Sequence, residues 1–406
     1  DTISIIFTSG TTRLSKGVML THRGITANVN ASIQSLPIDE TDNFITVLPL
    51  HHTYPATCSF LSPLTVGGTT TIAESLVGTK LLANIKETKA TIMIGVPLLY
   101  DKIKHGLQNN FRSQSFGARL LLGFLRGISA FFTTGLGIPA GKKLFAFLRK
   151  KAGLNSLRLL VAGGGPLQKA TADFFQILGF NIVQGYGMSE NGPLIATNLV
   201  EDVHNESVGY PVKYTDIQIR EPNASGIGEI VVKSPSLMQG YFKNPEATEQ
   251  IFTEDGYLKT GDLGIFDTRG RLYIKGRKKN IIVTEGGKNI FPEEIEAYFN
   301  NSRIIGEIMI TGRKKGPYAS SEEVIAVCVP DYEYLEEHHP DVKSDNKKVR
   351  QLIKDEIETV NRQLEGYKKI YDFILREEPF EKTSSEKIKR YLYTEYSAPV
   401  ENSAGA

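Results

Sequence analysis

The stretch Thr8–Gly17, TSGTTRLSKG, follows directly on a strand-like apolar run, Ile3 to Phe7. Its glycines let backbone N–H groups turn toward an anion, its hydroxyls add hydrogen-bond donors, and Lys16 adds a positive charge. A surface turn rich in Gly, Ser and Thr has the same composition and stays open as the alternative. The stretch therefore favours a loop that wraps a polyphosphate.

The order of residues excludes the kinase-type phosphate loop, which has Gly before its Lys and Ser or Thr after it. Here Lys16 stands between Ser15 and Gly17. The order instead resembles the phosphate loop of the AMP-forming acyl-CoA synthetases, the adenylate-forming family, whose usual form is TSGTTGxPKGVxxTH. Arg13 and Ser15 stand where that family usually has Gly and Pro. The resemblance implies that ATP is bound by Thr8, Ser9, Gly10, Thr11, Thr12 and Lys16.

A second cluster, QGYGMSE at 184–190, follows a predicted strand at 181–183, which places it at the carboxyl edge of a sheet, where open α/β folds bind ligands. Tyr186 can lie against a flat base, Ser189 can donate to a phosphate, and Glu190 is a hard oxygen ligand for Mg²⁺ carried by ATP. A strand-ending turn is the alternative. The cluster resembles the family's YGMTE motif, which implies catalytic roles for Ser189 and Glu190, a metal contact for Glu190, and nucleotide contacts for Gly185, Tyr186 and Gly187.

Two further segments resemble nucleotide-binding motifs of the same family. AGGGPL at 162–167 is similar to the GGAPL-type adenine segment, although a flexible turn before a helix is also open. YLKTGDLG at 257–264 resembles YxxTGDxG, with a type I turn as its alternative. The resemblance implies that Asp262 binds the ribose hydroxyls and that Gly164, Gly165 and Pro166 contact the nucleotide.

The basic run at 275–282, KGRKKNII, alone indicates a solvated face. Together with GGKNIFPEEIE at 286–296 it resembles GRxKDxIxxxGxNIxPxEIE, which implies that Arg277 contacts the nucleotide. Lys279 then matches the hinge about which the C-terminal domain rotates, and Asn280 replaces the usual Asp.

The segment KTSSEKIKR at 382–390 resembles PKTxxGKIxR, with Glu386 where many members have Gly. The resemblance implies that Lys387 contacts the carboxylate and the α-phosphate during adenylation; a charged tail is the alternative. His52 ends LPLHH, which resembles the LPLFH segment that lines the acyl site, and a core histidine is equally open.

The 406 residues suffice for two or three domains, and a hydrophobic content of 40% fits an α/β enzyme. Short β-branched runs, such as 69–72 and 91–95, alternate with helical stretches up to about Gly276, which predicts a mostly parallel sheet. Strand pairs between Gly209 and Tyr273 predict a small β-barrel or β-layer, and a helix is expected at 388–396. The segment from Gly228 to Tyr241 resembles the family's structural core motif, and a packing role is expected for it.

We therefore expect an adenylate-forming ligase fold, with a large N-terminal α/β region at 1–277 and a smaller, mobile α+β domain at 278–406. Because family members carry a long segment before the phosphate loop, the first part of the N-terminal domain is expected to be missing.

Lys and Arg number 47 against 45 Asp and Glu, so the net charge of +2 does not indicate nucleic-acid binding. Cys58 and Cys328 show no zinc-site or disulfide spacing, so a reducing cytoplasm is the default compartment. The apolar stretch 117–138 is interrupted by Arg119 and Arg126 and is too charged to span a bilayer comfortably. An amphipathic helix that contacts a membrane or a fatty substrate and a helix that packs in the core both stay open.

The resemblance covers nearly the whole chain and implies an ATP-dependent, AMP-forming ligase that uses Mg²⁺ and joins a fatty acid to CoA. Medium to long chains are expected because the segments AGGGPL, SPSLMQGY and KTSSEKIKR look most like that branch. Two alternatives stand beside this prediction. The acyl group could pass to a carrier protein or another acceptor, or the chain could bind nucleotide without turnover. The pattern does not indicate an oligomeric state.

Overall fold

The computed structural model describes residues 1–8, 15–286, 288–300, 302–314, 316, 321–339, 345–383 and 387–398. Ser9, Gly10, Thr11 and Thr12 of the predicted phosphate loop lie outside the described residues.

The strands are β1 Thr2–Thr8, β2 Lys16–Thr21, β3 Asn43–Thr46, β4 Thr69–Ile72, β5 Ile92–Gly95, β6 Leu159–Ala162, β7 Asn181–Gly187, β8 Leu194–Thr197, β9 Tyr210–Pro211, β10 Asp216–Arg220, β11 Gly228–Lys233, β12 Gly240–Tyr241, β13 Leu258–Phe266, β14 Leu272–Arg277, β15 Ile282–Val283, β16 Asn289–Ile290, β17 Ile305–Lys314, β18 Glu322–Pro330 and β19 Asp372–Leu375. The α-helices are α1 His22–Ser35, α2 Thr53–Pro55, α3 Ser62–Thr65, α4 Gly78–Thr88, α5 Pro97–Arg112, α6 Phe116–Ala130, α7 Gly141–Leu144, α8 Ala146–Lys151, α9 Lys169–Ile177, α10 Pro245–Ile251, α11 Pro292–Glu296, α12 Tyr332–His338 and α13 Asn346–Asn361. Two π-helical segments, Ala56–Leu61 and Phe131–Gly135, and six 3₁₀ turns complete the described helices: Ser189–Asn191, Lys278–Asn280, Ala297–Phe299, Gly366–Lys368, Arg390–Leu392 and Thr394–Ser397.

The largest sheet has seven strands in the order β4-β3-β5-β6-β7-β8-β9. The pairs that join β4, β3, β5, β6 and β7 are parallel, whereas β8 and β9 add on in antiparallel fashion. Every residue of β5 and β6 is buried, as expected for parallel strands that helices cover on both faces. The predicted α/β architecture with a mostly parallel sheet is therefore confirmed.

The strand predicted at 181–183 was too short, because β7 continues to Gly187. Its last residues, from Gly185 onward, pair with β8. This second partner extends the strand through glycines that have little strand propensity of their own.

Two smaller sheets belong to the same N-terminal part of the chain. A four-stranded antiparallel sheet with the order β10-β11-β13-β14 occupies the section predicted as a β-barrel or β-layer. The hairpin β1–β2 pairs through β2 with β12, so the predicted phosphate loop connects two adjacent antiparallel strands.

The C-terminal part contains the sheet β17-β18-β19, against which α13 buries Val349, Ile353 and Ile357. The prediction of a helix at 388–396 was wrong, since this segment forms two 3₁₀ turns instead. The reason is that Ile388 forms a β-bridge with Lys382 and is held extended. The division of the chain at 277/278 stays a prediction; the turn Lys278–Asn280 is the connection between β14 and the elements that follow.

Candidate active site

Three predicted nucleotide-binding side chains meet at Asp262. Asp262 in β13 and Arg277 at the end of β14 are cross-strand partners, and Arg277 Nε lies 2.8 Å from Asp262 Oδ1. The Tyr186 hydroxyl, which reaches across from β7, donates to Asp262 Oδ2 at 2.7 Å. Burial raises the pKa of the Asp262 carboxyl, and the positive charge of Arg277 and the Tyr186 hydrogen bond oppose that rise. Each carboxylate oxygen keeps a further lone pair that can accept a hydrogen bond from a hydroxyl group.

Thr260, which the sequence reasoning did not single out, fixes the backbone before Asp262. Its Oγ1 donates to the Ile230 carbonyl at 2.7 Å and accepts from the Asp262 N–H at 3.0 Å. Arg277 Nη1 donates to the Thr260 carbonyl at 3.2 Å. The threonine of the TGD triplet was the available signal, because a small hydroxyl residue before a Gly-Asp turn commonly bonds to nearby backbone.

Lys387 comes to this cluster from the C-terminal part of the chain. Its backbone carbonyl accepts from the Thr383 N–H at 2.8 Å, beside the bridge between Lys382 and Ile388. Lys387 is exposed to solvent as a residue, although nearby protein atoms desolvate its ammonium group. Burial and then Arg277 lower the pKa of its ammonium, while Asp262 opposes this shift.

The turn Lys278–Asn280, which contains the predicted hinge Lys279, contacts both parts of the chain. Lys278 Nζ lies 2.6 Å from Glu229 Oε2 of β11. Asn280 Nδ2 donates to Glu293 Oε1 at 2.7 Å. An Asp at position 280 would place a second carboxylate against Glu293, so Asn280 suits this partner better than the family's usual residue.

Glu190 and Ser189 lie together in a 3₁₀ turn after β7. The Tyr241 hydroxyl donates to Glu190 Oε1 at 2.8 Å, and Lys16 Nζ lies 4.8 Å from the centre of the Tyr241 ring. Tyr241 therefore connects the predicted phosphate-loop lysine to the predicted metal ligand, a role that sequence reasoning missed when it assigned this motif to packing. Ser189 Oγ lies 3.2 Å from Thr53 Oγ1.

Within the described part of the chain, no group of three or more His, Cys, Asp or Glu side chains comes together to hold a metal. A single carboxylate such as Glu190 nevertheless fits Mg²⁺ that phosphates already hold, since this ion keeps several waters and takes one or two protein carboxylates.

The two predicted glycine segments lie at the ends of neighbouring strands, since Ala162 of β6 and Gln184 of β7 are paired. Gln184 Oε1 accepts from the Leu167 N–H at 2.8 Å and so joins the segments. Gly164 has a φ of +79°, which favours glycine. A Cβ on Gly187 would lie 2.2 Å from the Pro193 carbonyl oxygen. Gly164 and Pro166 are exposed, and Gly165 and Gly185 are half-buried.

His52 lies just before α2 and next to Thr53. Its Nε2 is buried without a hydrogen-bond partner among the described residues. Burial, followed by the neighbouring His51, lowers the pKa of the imidazole. Thr8 pairs with Lys16 at the base of the hairpin, so both flank the loop at 9–14, which lies outside the described residues.

The chain is similar in sequence and in structure to known proteins. The chain is 33% identical over 314 residues to the long-chain-fatty-acid–CoA ligase heimdall of Drosophila melanogaster, over 72% of this chain and 45% of that protein. It is 25% identical over 402 residues to a chloroplastic long-chain-fatty-acid–acyl-carrier-protein ligase of Arabidopsis thaliana, over 86% of this chain and 54% of that protein. The chain thus spans about half the length of the curated relatives it matches.

Among solved structures, o-succinylbenzoate–CoA synthetase of Bacillus subtilis with ATP and magnesium is similar, with a TM-score of 0.71 and 25% identity over 96% of this chain and 69% of that one. The model of the family described as AMP-binding enzyme matches residues 1–242, more than half of the chain. With the adenylate-forming ligase fold expected from its motifs, the chain belongs to the AMP-binding enzyme family.

Proposed function

We propose that the protein activates a fatty acid with ATP to acyl-AMP and pyrophosphate, and then transfers the acyl group to CoA. The observation that carries this proposal is the cluster of Asp262, Arg277 and Tyr186, because it holds a buried carboxylate suited to ribose between a cation and a phenol hydroxyl. Lys387 lies near enough for its charge to act on the Asp262 carboxyl. The proposal assigns the nucleotide to this cluster and to the glycine segments after β6 and β7.

In the first half-reaction, a carboxylate oxygen of the acid attacks the α-phosphorus, and the bond from that phosphorus to pyrophosphate breaks. Negative charge grows on the phosphate oxygens, so fixed cations beside them lower the barrier. Lys387 supplies one such charge, and Lys16 supplies another beside the phosphate loop. Mg²⁺ bound with ATP near Glu190 would neutralise further phosphate charge. Asp262 and Tyr186 orient the nucleoside.

In the second half-reaction, the CoA sulfur attacks the acyl carbonyl carbon, the thiol loses its proton, and AMP leaves with the electrons of the broken C–O bond. Lys387 has no charge to stabilise at phosphorus in this step. We therefore assign Lys279 as the hinge at which the C-terminal part turns away between the half-reactions, a rigid-body change of ordinary type.

One observation supports an apolar acid: the heimdall ligase is named for long-chain fatty acids. A cavity of about 20 Å³ lies beside Gly185, between the large sheet and the helical segments that follow His52. It has room for about one water, so an acyl chain would enter only if the cavity opened. Its lining includes Tyr54, Cys58, Phe44, Ile92, Ile94 and Val161. His52 is assigned to the acyl site because its segment, LPLHH, resembles the family's LPLFH segment.

The test is exchange of labelled pyrophosphate into ATP across a series of fatty acids of increasing length. Exchange that depends on the acid and shows a chain-length optimum would support adenylation and identify the substrate. ATP binding without exchange at any chain length would overturn the proposal and leave a nucleotide-binding protein without turnover.

A second candidate is adenylation followed by transfer to an acyl carrier protein, which the similarity to the Arabidopsis ligase favours. Competition between CoA and a phosphopantetheinyl carrier protein for the same acyl-AMP separates the two acceptors. Preferential labelling of the carrier would replace CoA in the proposal without affecting the adenylation step.

A further inference from the structure

Helix α6 exposes a continuous stripe of large apolar side chains. Phe116, Leu120 and Phe124, spaced four residues apart, are exposed at 70%, 61% and 68%, and Leu121 beside them at 57%. Phe131 continues the stripe into the π-helical segment after α6 at 64%. Contiguous apolar surface of this kind marks an interaction site in soluble proteins.

The opposite side of α6 is fixed to the protein core. Leu122 and Leu125 pack against the core cluster that contains Phe174 and Phe175 of α9. Ser129 is fully buried, and its Oγ donates to the Ile177 carbonyl at 2.6 Å. The helix is therefore held by one face and presents the other to solvent.

The part of the sequence that contains this helix is strongly basic. Residues 102–172 contain twelve Lys and Arg and no Asp or Glu, although the whole chain is close to neutral. Arg119 and Arg126 flank the exposed stripe, and the Arg119 guanidinium lies 5.9 Å from the centre of the Phe116 ring. The exposed cations of this region are Lys102, Arg112, Arg119, Arg126, Lys142, Lys143, Lys150, Lys151 and Lys169.

We propose that this apolar–basic face, formed by the exposed stripe of α6 together with Arg119 and Arg126, docks on an anionic lipid surface with the helix parallel to the membrane plane. Apolar side chains would enter the boundary between headgroups and acyl chains, while Arg and Lys would contact anionic headgroups. This chemistry matches both halves of the observation, the Phe and Leu stripe and the acid-free basic rim.

A spanning arrangement fits the structure less well. The segment Phe116–Thr133 has a mean hydropathy of 1.3 and is, among the described residues, the one helical segment long and apolar enough to cross a bilayer. Crossing would separate Ser129 and Leu125 from the core and would bring Arg119 and Arg126 into hydrocarbon, where charges are costly.

Pairing of two copies through the same face is also disfavoured. A twofold contact uses the same patch on both subunits, so it would bring the two basic rims together. Like charges set against each other oppose such a contact.

Flotation with vesicles tests the proposal. The intact chain should bind vesicles of phosphatidylcholine mixed with phosphatidylglycerol, bind pure phosphatidylcholine much more weakly, and lose binding as salt is added. Leu121→Glu with Phe124→Glu should lower the partition coefficient about tenfold or more. Arg119→Glu with Arg126→Glu should lower it by a similar factor and flatten the salt dependence. The matched control is Tyr371→Glu, which changes a side chain 73% exposed in the C-terminal part and should leave binding unchanged.

Equal binding to neutral and anionic vesicles would overturn the electrostatic part of the proposal. Unchanged binding of the Leu121/Phe124 variant would overturn the assignment of the face. Sedimentation equilibrium tests whether a second copy of the chain binds this face instead. Self-association that disappears in Phe124→Ser, combined with no vesicle binding by the parent chain, would identify a second copy as the partner. Circular dichroism establishes that each variant is folded. Vesicle binding requires neither ATP nor turnover, so its failure is distinguishable from failure of the proposed ligase activity.

Discussion

Asp262 and Lys387 lie on opposite sides of the turn Lys278–Asn280 in sequence, yet each alters the pKa of the other. The Lys387 ammonium opposes the rise that burial causes at Asp262, and Asp262 opposes the fall that burial causes at Lys387. Asp262 belongs to β13, whereas Lys387 lies beside the bridge between Lys382 and Ile388, so their proximity depends on how the C-terminal part is placed. Rotation at the turn would separate them.

Replacement of Lys387 by Ala should remove the first half-reaction selectively. Loss of one preorganised charge at the reacting phosphate lowers the rate of acyl-AMP formation by roughly 100- to 1000-fold. Thioester formation from supplied acyl-AMP should stay close to that of the parent. Lys389→Ala is the matched control, because Lys389 Nζ lies 3.2 Å from Glu381 and belongs to the same segment. Equal losses in both half-reactions would contradict the role assigned to Lys387.

The pH dependence of adenylation should reflect Lys387. Its ammonium acts only while protonated, and burial together with Arg277 lowers its pKa below the ordinary lysine value of 10.5. Pyrophosphate exchange should therefore decline as pH rises through that lowered pKa, before ordinary lysines titrate. Lys387→Arg stays charged throughout, so its profile should be slower but flat up to about pH 10. An identical alkaline decline in the Arg variant would assign the titration to another group.

Tyr241→Phe should weaken the response to Mg²⁺ while the fold is preserved. The substitution removes the hydroxyl that donates to Glu190 at 2.8 Å but keeps the ring beneath Lys16. A hydrogen bond to a charged group contributes about 1.5–3 kcal/mol, so the Mg²⁺ concentration for half-maximal exchange should rise roughly tenfold. Tyr257→Phe is the control, because the Tyr257 hydroxyl that it removes accepts from Gln218 of β10, in the four-stranded sheet. If both variants needed the same Mg²⁺ concentration for half-maximal exchange, Tyr241 would have no special role in holding Glu190.

Two glycines in the predicted nucleotide segments should respond differently to Ala. A Cβ at Gly187 would lie 2.2 Å from a backbone carbonyl, whereas at Gly165 it would make an ordinary 3.7 Å contact with Pro97. Gly187→Ala should thus lower the free energy of unfolding by about 1–3 kcal/mol. Gly165→Ala should leave it nearly unchanged. Urea unfolding of both variants measures the difference, and equal stability would show that the β7–β8 contact can relax.

The parts of the fold that the sequence predicted best are those with strong local patterns. The strand at Thr69–Ile72 and the strand near Ile92–Gly95 follow from short β-branched runs between helical segments. The end of β7 was missed because its extension through Gly185–Gly187 depends on pairing with β8. The segment at 388–396 was misassigned because the bridge between Ile388 and Lys382 overrides its local helical pattern.

The candidate site divides in the same way. Asp262, Arg277 and Lys387 were predicted from the resemblance of their motifs to those of the family, and the structure places Arg277 beside Asp262. The small cavity beside Gly185 could not be predicted, since its lining comes from α1, the segments after His52 and five strands. Tyr241 was assigned to packing because its hydroxyl meets Glu190 only after β12 pairs with β2.

The two cysteines are free and buried, one beneath the large sheet and one in β18. Burial raises the pKa of each thiol to about 12, so neither supplies much reactive thiolate in the native protein near neutral pH. Alkylation must therefore await local opening. Cys58 and Cys328 belong to separate cores. The alkylation rate of each thiol therefore reports the opening of its own part of the protein, and no engineered label is required.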